Sequence, residues 1–165
     1  MSKNELEKIF TNSPGVSYKS KVKNIEDYLA SISDGKDVVV GNGNELVYPE
    51  FFKYKHSFAD GLYIREMGMQ KGHLGVSAIH KHSYAFFLLS GVLASSKEDG
   101  VEEFVAPCYI VSPMGAKRIV FAVEDCIIVT VNANPTNTKD LKEIEKLNVV
   151  FSWEEYEEYL KKNKL

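Results

Sequence analysis

The sequence predicts an all-β core, a sandwich or barrel, with helices before and after it. Three observations carry that expectation. From about Asp37, short apolar runs are separated by turn residues at roughly eight-to-twelve-residue intervals; a helical period marks the segments on either side; and no helix interrupts the runs. A doubly wound parallel sheet needs helical crossovers between its strands and is excluded.

The helical segments come first. Leu6, Ile9 and Phe10 make one short apolar face, Ser13-Pro14-Gly15 breaks it, and Ile25, Tyr28, Leu29 and Ile32 recur at helical spacing. Asn24 is the expected N-cap of this second helix and Asp34-Gly35 its end. Residues 1–36 therefore read as a helical arm, 37–134 as the β core and 135–165 as C-terminal helices. Within the core, residues 38–40 and 45–48 flank Gly41-Asn42-Gly43-Asn44, a hairpin signal. A phosphate loop is excluded there, since no Gly-Lys-Ser/Thr follows. Further strands are expected at 51–58, 62–69, 74–82, 84–89, 92–95, 102–105, 109–112, 118–123 and 127–132, with Asp99-Gly100 as a second hairpin turn. Leu141, Ile144 and Leu147 restore the helical period behind an Asn137 cap. Ser152 opens the last helix with Glu155 completing a capping box and Phe151 stapling onto Tyr156, while Glu157 with Lys161 and Glu158 with Lys162 form i, i+4 pairs.

Composition narrows the partners. The chain of 165 residues can bury one sizeable core and not two large ones. A net charge of −3 with a pI near 5.8 offers no electrostatic footprint for nucleic acid. No apolar stretch approaches the roughly 20 residues of a membrane span, and the opening residues have no apolar run behind their charges, so neither a membrane nor an export signal is expected. Cys108 and Cys126 form no zinc-type spacing and read as buried thiols in a reducing compartment.

The chemistry-bearing segment is His80-Lys81-His82. On a strand, i and i+2 share a face, so the two imidazoles are candidate ligands of one divalent metal, and Tyr84 continues that face. A metal needs a further ligand, commonly a carboxylate, and no Asp or Glu occurs between Glu66 and Glu98. The competing reading is a partly buried histidine pair bonded to the backbone or to Tyr84. Ser77, Ser83 and Ser90 lie near the histidines, but there is no Gly-x-Ser-x-Gly elbow, and no catalytic residue is assigned.

His80-Lys81-His82, Ser90-Gly91 and Pro113-Met114-Gly115-Ala116-Lys117-Arg118 together resemble the two motifs of the cupin superfamily. The first motif there is His-x-His with a Glu about four residues on and a Gly seven beyond it; the second is Pro-x-Gly-x-x-His. Two registers are open. Anchored on Gly91, the motif histidines fall on Ala78 and His80 and the Glu on Tyr84. Anchored on His80 and His82, the Glu falls on Phe86 and the segment is two residues short. Either way the carboxylate is missing and Arg118 stands where the second motif has histidine. Residues 58–66, Ile79-His80-Lys81, the 113–118 turn, Glu124-Asp125 and residues 134–138 are similar to a group of small cupin-like proteins frequent in bacteriophage genomes, over about residues 51–145. Many of those have a histidine where this chain has Tyr84.

The resemblance implies a double-stranded β-helix, that is, a jelly-roll barrel. It also implies a phage origin with other virion proteins as partners, and a location in the cytoplasm of the infected cell or in the virion. A small β-sandwich leaves edges that are often covered by another subunit, so a homo-oligomer is expected, with the N-terminal helices packing across a dimer. Arg118 alters what such a barrel holds, because a guanidinium stays protonated, repels a divalent cation and attracts carboxylate or phosphate. Arg65 is the only other arginine among 20 basic residues, and Glu66 is the nearest acid to pair with either. Lys117, on the opposite strand face, is expected in solvent. The function expected is a non-catalytic cupin-like protein without cofactor, serving as an oligomeric structural or accessory module or binding a small anionic ligand through His80, His82, Tyr84 and Arg118. The alternative is a metal-dependent oxygenase or isomerase acting through His80 and His82. A metal-free sugar-nucleotide isomerase, with His80 as base and Tyr84 as acid, ranks third.

Overall fold

A computed structural model describes residues 1–41, 43–44 and 46–164. Two helices open the chain. α1 (Lys3–Thr11) starts at Ser2, whose hydroxyl accepts from the Glu5 amide while the Glu5 carboxylate accepts from the Ser2 amide, a complete capping box. α2 (Tyr18–Ser31) is capped by Ser17, not by Asn24, which lies inside the helix. Its buried stripe is accordingly Val22 and Ile25, with Tyr18 and Leu29 packed beside them, and Tyr28 and Ile32 of the expected stripe are exposed. Lys21 is buried with them because its ammonium donates to the Phe10 carbonyl at 2.8 Å, near the negative end of α1.

The strands follow as β1 (Lys53–Ala59), β2 (Leu62–Met69), β3 (Leu74–Val76), β4 (Ile79–His80), β5 (Tyr84–Ser90), β6 (Val92–Lys97), β7 (Gly100–Val105), β8 (Cys108–Ser112), β9 (Ile119–Ala122) and β10 (Cys126–Ala133). Residues 38–41, 43–44 and 46–48 form no strand, so the hairpin expected there is absent among the described residues; Asn42 and Glu45 lie outside them. The second hairpin is present, joining β6 to β7 with Lys97 opposite Gly100.

One sheet runs β1-β2-β10-β5-β8 and the other β3-β9-β6-β7, antiparallel throughout. Without β1 this is an eight-stranded jelly roll, in which strands 2, 10, 5 and 8 face strands 3, 9, 6 and 7. The expected fold class is therefore present in the strand order itself. One end of the interior is solid: Phe52, Met69, Leu88, Leu93, Ala122, Cys126 and Ile128 are buried against one another. Gly91, between β5 and β6, closes this end. Its φ is +83°, and a Cβ there would lie 2.2 Å from the Asp125 carbonyl oxygen, so only glycine fits.

The four-stranded sheet is covered on its outer face by the N-terminal helices, through Leu6, Phe10, Val22 and Ile25 against Ala94, Ile119 and Phe121. The apolar face of these helices is thus packed within the chain, leaving Tyr28 and Ile32 of α2 exposed. The same contact corrects Lys117. It does point away from Arg118, but into the helices: it is 5% exposed, with Nζ 2.6 Å from Glu26 Oε1 of α2.

The C-terminal segment closes the other end. α3 (Leu141–Asn148) is capped by Asp140, which accepts from the Lys142 and Glu143 amides. Asn137, the expected cap, instead adopts φ 53° and accepts from the Gly61 amide at 2.7 Å. β11 (Val149–Val150) pairs with β4, and α4 (Trp153–Asn163) starts with the expected Ser152–Glu155 capping box. Glu157 pairs with Lys19 of α2 at 3.6 Å in place of Lys161. No helix among the described residues is long and apolar enough to cross a membrane.

Candidate functional site

The open end of the jelly roll holds a cavity of about 700 Å³, counting the solvent at its mouth. Alternation on the strands decides its walls. On β2, Tyr63, Arg65, Met67 and Met69 share one face; on β10, Ile128, Thr130 and Asn132 do; on β6, Leu93 and Ser95. The floor is apolar, from Met67, Phe86, Leu93, Phe104, Val120 and Ile128, and above it stands a polar ring of Arg65, Thr130, Tyr84, Ser112, Ser95 and Arg118, with Ser77 and His80.

His80 is the best-fixed member of the ring. Its strand is pinned by β11, its carbonyl accepts from the Gly115 amide at 2.7 Å, and its amide donates to the Ala116 carbonyl at 3.2 Å. The ring of Tyr84 stacks on it with centroids 3.7 Å apart. Burial, aided by the Arg65 guanidinium, pushes the imidazole down to about 3, so His80 is neutral in ordinary buffers. Arg118 precedes β9, where its amide donates to the Ser77 hydroxyl at 2.9 Å; its guanidinium reaches only the Ser96 carbonyl, at 3.5 Å. The Nε of Arg65 and the hydroxyls of Ser95 and Ser112 are buried without a hydrogen-bond partner. Among the described residues neither guanidinium has a carboxylate within 4.0 Å; the ion pairs present all involve lysine. Glu66, the acid expected to pair with an arginine, is on the opposite face of β2 from Arg65.

His82 is not in the cavity. The chain bends at Lys81 and His82 after β4 has ended, so the i, i+2 rule of a strand does not apply, and His82 is exposed with its ring edge-on to Tyr159 of α4. Of the four residues expected to bind a ligand, the structure brings together His80, Tyr84 and Arg118 and leaves His82 outside. Arg65, Ser77, Ser95, Ser112 and Thr130 were not among them. For Arg65 a signal existed: a lone arginine between two inward-facing apolar positions of an alternating strand.

A divalent metal does not fit this donor set. One imidazole, no carboxylate and two guanidiniums line the cavity, and no cluster of three His, Cys, Asp or Glu side chains occurs among the described residues. A smaller cavity adjoins it, between β2 and α3, and shares Arg65 and His80 with it; there Tyr48 donates to Glu145 Oε1 at 3.1 Å.

No protein-family model matches the chain, and no curated protein does. Among solved structures it is similar to a cupin-2 domain protein from Shewanella frigidimarina, at 14% identity and a TM-score of 0.45 over 53% of this chain and 85% of that one. Cupin barrels are what this one is similar to. KdgF from Halomonas gives 13% identity and a TM-score of 0.48 over 59% and 90% of the two chains. A cupin-2 conserved barrel protein from Salinispora arenicola gives 13% and 0.44 over 53% and 79%. At these identities and scores the likeness is one of fold and says nothing of activity.

Proposed function

We propose that this protein binds a small anion inside its barrel and performs no chemistry on it. One observation carries the reading: the only two arginines of the chain, Arg65 and Arg118, line the same cavity, without an acid in its wall. A guanidinium presents several donors in one plane and suits carboxylate or phosphate oxygens. The unpartnered Arg65 Nε and the Ser95 and Ser112 hydroxyls are donors of the same kind. Catalysis is disfavoured by His80, whose imidazole sits near 3, far from the pKa of an effective general base at neutral pH, and by its stacking on Tyr84, which puts both groups on one side of the space.

The test is thermal unfolding at constant ionic strength in chloride, acetate or phosphate. An anion at a hundredfold excess over its Kd stabilises the fold by about 2.7 kcal/mol, or about 5–11 °C for a chain of this size. The Arg65→Gln/Arg118→Gln double variant is expected to lose that difference. Equal melting in all three salts, or an unchanged shift in the double variant, overturns the reading. Stoichiometric metal in protein purified without a tag would favour the enzyme alternative.

We also infer a homo-oligomer, formed through the outer face of the five-stranded sheet. Val111, Ala85, Val131 and Ile64 form one uncharged row across it and Tyr109, Phe87 and Val129 a second, while the charges Glu66 and Lys55 lie toward the β1 edge. Tyr109 is 71% and Val111 66% exposed. An uncharged face is complementary to its own copy, as a twofold contact requires. Five strands about 4.8 Å apart and seven residues long at about 3.3 Å give the whole face a footprint of roughly 550 Å², below the roughly 800 Å² per partner of a standard interface and in the range of a small one. Light scattering that reports a dimer, and a monomer for Tyr109→Glu, is the expected result; a wild-type monomer at micromolar concentration refutes it. A phage origin and a place in the virion stay with the resemblance, and ligand binding in the barrel requires neither.

A further inference from the structure

Resting on the anion-binding reading, we propose that the ligand carries two negative charges on one compact group, the charge state of a phosphate monoester, rather than a single carboxylate. The presence of two guanidiniums in one cavity wall that holds no acid is what distinguishes these. Arg65 is on β2, beside β1 at the edge of its sheet, and Arg118 leads into β9, beside β3 at the edge of the other. These two edges meet: Phe51 and Phe52, which lead into β1, pack edge-on and tilted against His73, which leads into β3, and the Phe52 ring is also the neighbour of Gly75 on β3. β2 and β9 therefore lie toward one side of the barrel, and from there the Arg118 guanidinium reaches the Ser96 carbonyl on β6. Ser95, on β6, is paired with Val120 of β9, while Ser112 is on β8 at the far edge of its sheet.

The polar ring thus carries two cations, Arg65 and Arg118, among uncharged groups: Thr130 opposite Arg65, Tyr84 stacked on the neutral His80, and the hydroxyls of Ser77, Ser95 and Ser112. Two fixed positive charges in the wall of one cavity repel each other, and in a partly desolvated site that repulsion is stronger than in water. A monoanion leaves one of them uncompensated. A dianionic head compensates both, and its three or more oxygens match the two planar donor sets together with the Ser77 hydroxyl. The remaining hydroxyls of the ring then serve the polar part of whatever the head is attached to, and the floor accepts a short apolar portion. Glu145, the acid of the adjoining cavity, accepts from Tyr48 and lies outside this wall.

The experiment is calorimetric titration of the intact protein with inorganic phosphate, succinate and acetate at pH 7.5 and constant ionic strength, repeated with the single variants Arg65→Gln and Arg118→Gln. The expected result is a Kd for phosphate at least tenfold below that for acetate, with succinate between them, and a phosphate preference reduced to within threefold in each variant. Acetate binding as tightly as phosphate, succinate binding more tightly than phosphate, or a preference that survives either substitution overturns the dianion proposal while leaving an anion site in place. Saturable binding of none of the three removes the anion site itself, and the dianion proposal with it.

Discussion

Replacing Glu26 by glutamine is expected to lower the stability of the fold by about 3 kcal/mol. Lys117 is 5% exposed, and its ammonium has two oxygen neighbours, Glu26 Oε1 at 2.6 Å and the Phe151 carbonyl at 3.5 Å. Glutamine keeps the shape and removes the charge, so the ammonium stays buried against neutral groups. Breaking a buried ion pair from one side costs about 3–5 kcal/mol. Glu26 is 31% exposed and water can enter where it stood, which places this case at the lower end. For a chain of 165 residues, about 3 kcal/mol corresponds to a fall in Tm of about 6–12 °C by circular dichroism or calorimetry. The double variant Glu26→Gln/Lys117→Met, in which no charge is left behind, is expected to recover at least half of that loss. A fall below about 2 °C for Glu26→Gln, or a double variant less stable than the single, would refute the view that this pair fastens α2 to the barrel.

Two further outcomes are expected. His80 has its imidazole pushed from 6.5 down to about 3, so between those values the unfolded chain binds a proton that the folded chain does not, and stability is lost as pH falls through that window. The difference between wild type and His80→Phe is expected to fall by up to about 1.4 kcal/mol per pH unit between pH 6 and pH 4, and parallel stability curves for the two would contradict it. Gly91→Ala places a Cβ 2.2 Å from the Asp125 carbonyl oxygen at a φ of +83°, and a loss of at least about 3 kcal/mol is expected; a loss under about 1 kcal/mol in urea melts would show that the β10 entry yields freely.

The strands were legible because their signal is local. Alternation fixes which residues of β2, β5, β8 and β10 face inward, and all four lie within a residue of their expected positions. What was not legible depends on partners distant in sequence. Lys117 was placed correctly on the face opposite Arg118, but whether that face meets water or α2 is decided by residues almost a hundred positions earlier. The start of α2 was missed because Lys19, Ser20, Lys21 and Lys23 dilute the stripe that Tyr18 and Val22 begin, and Lys21 is buried only through its bond to Phe10. The i, i+2 rule fails for His82 because β4 ends at His80 and the chain bends at Lys81 and His82. Arg65 stands out in the sequence by its rarity, but its sharing of one cavity with Arg118 depends on how the two sheets face each other.

The pairing of β2 with β10 has a consequence for synthesis. Arg65 lies opposite Thr130, and His80 opposite Val149, so the wall that carries these side chains has no neighbour on one side while the first hundred residues leave the ribosome. The pocket closes only when the last strands emerge, a long-range event of the kind that folds slowly. A nascent chain halted before Cys126 would have its N-terminal helices, the β1–β2 and β6–β7 hairpins, and a barrel wall still lacking Ile128 and Thr130.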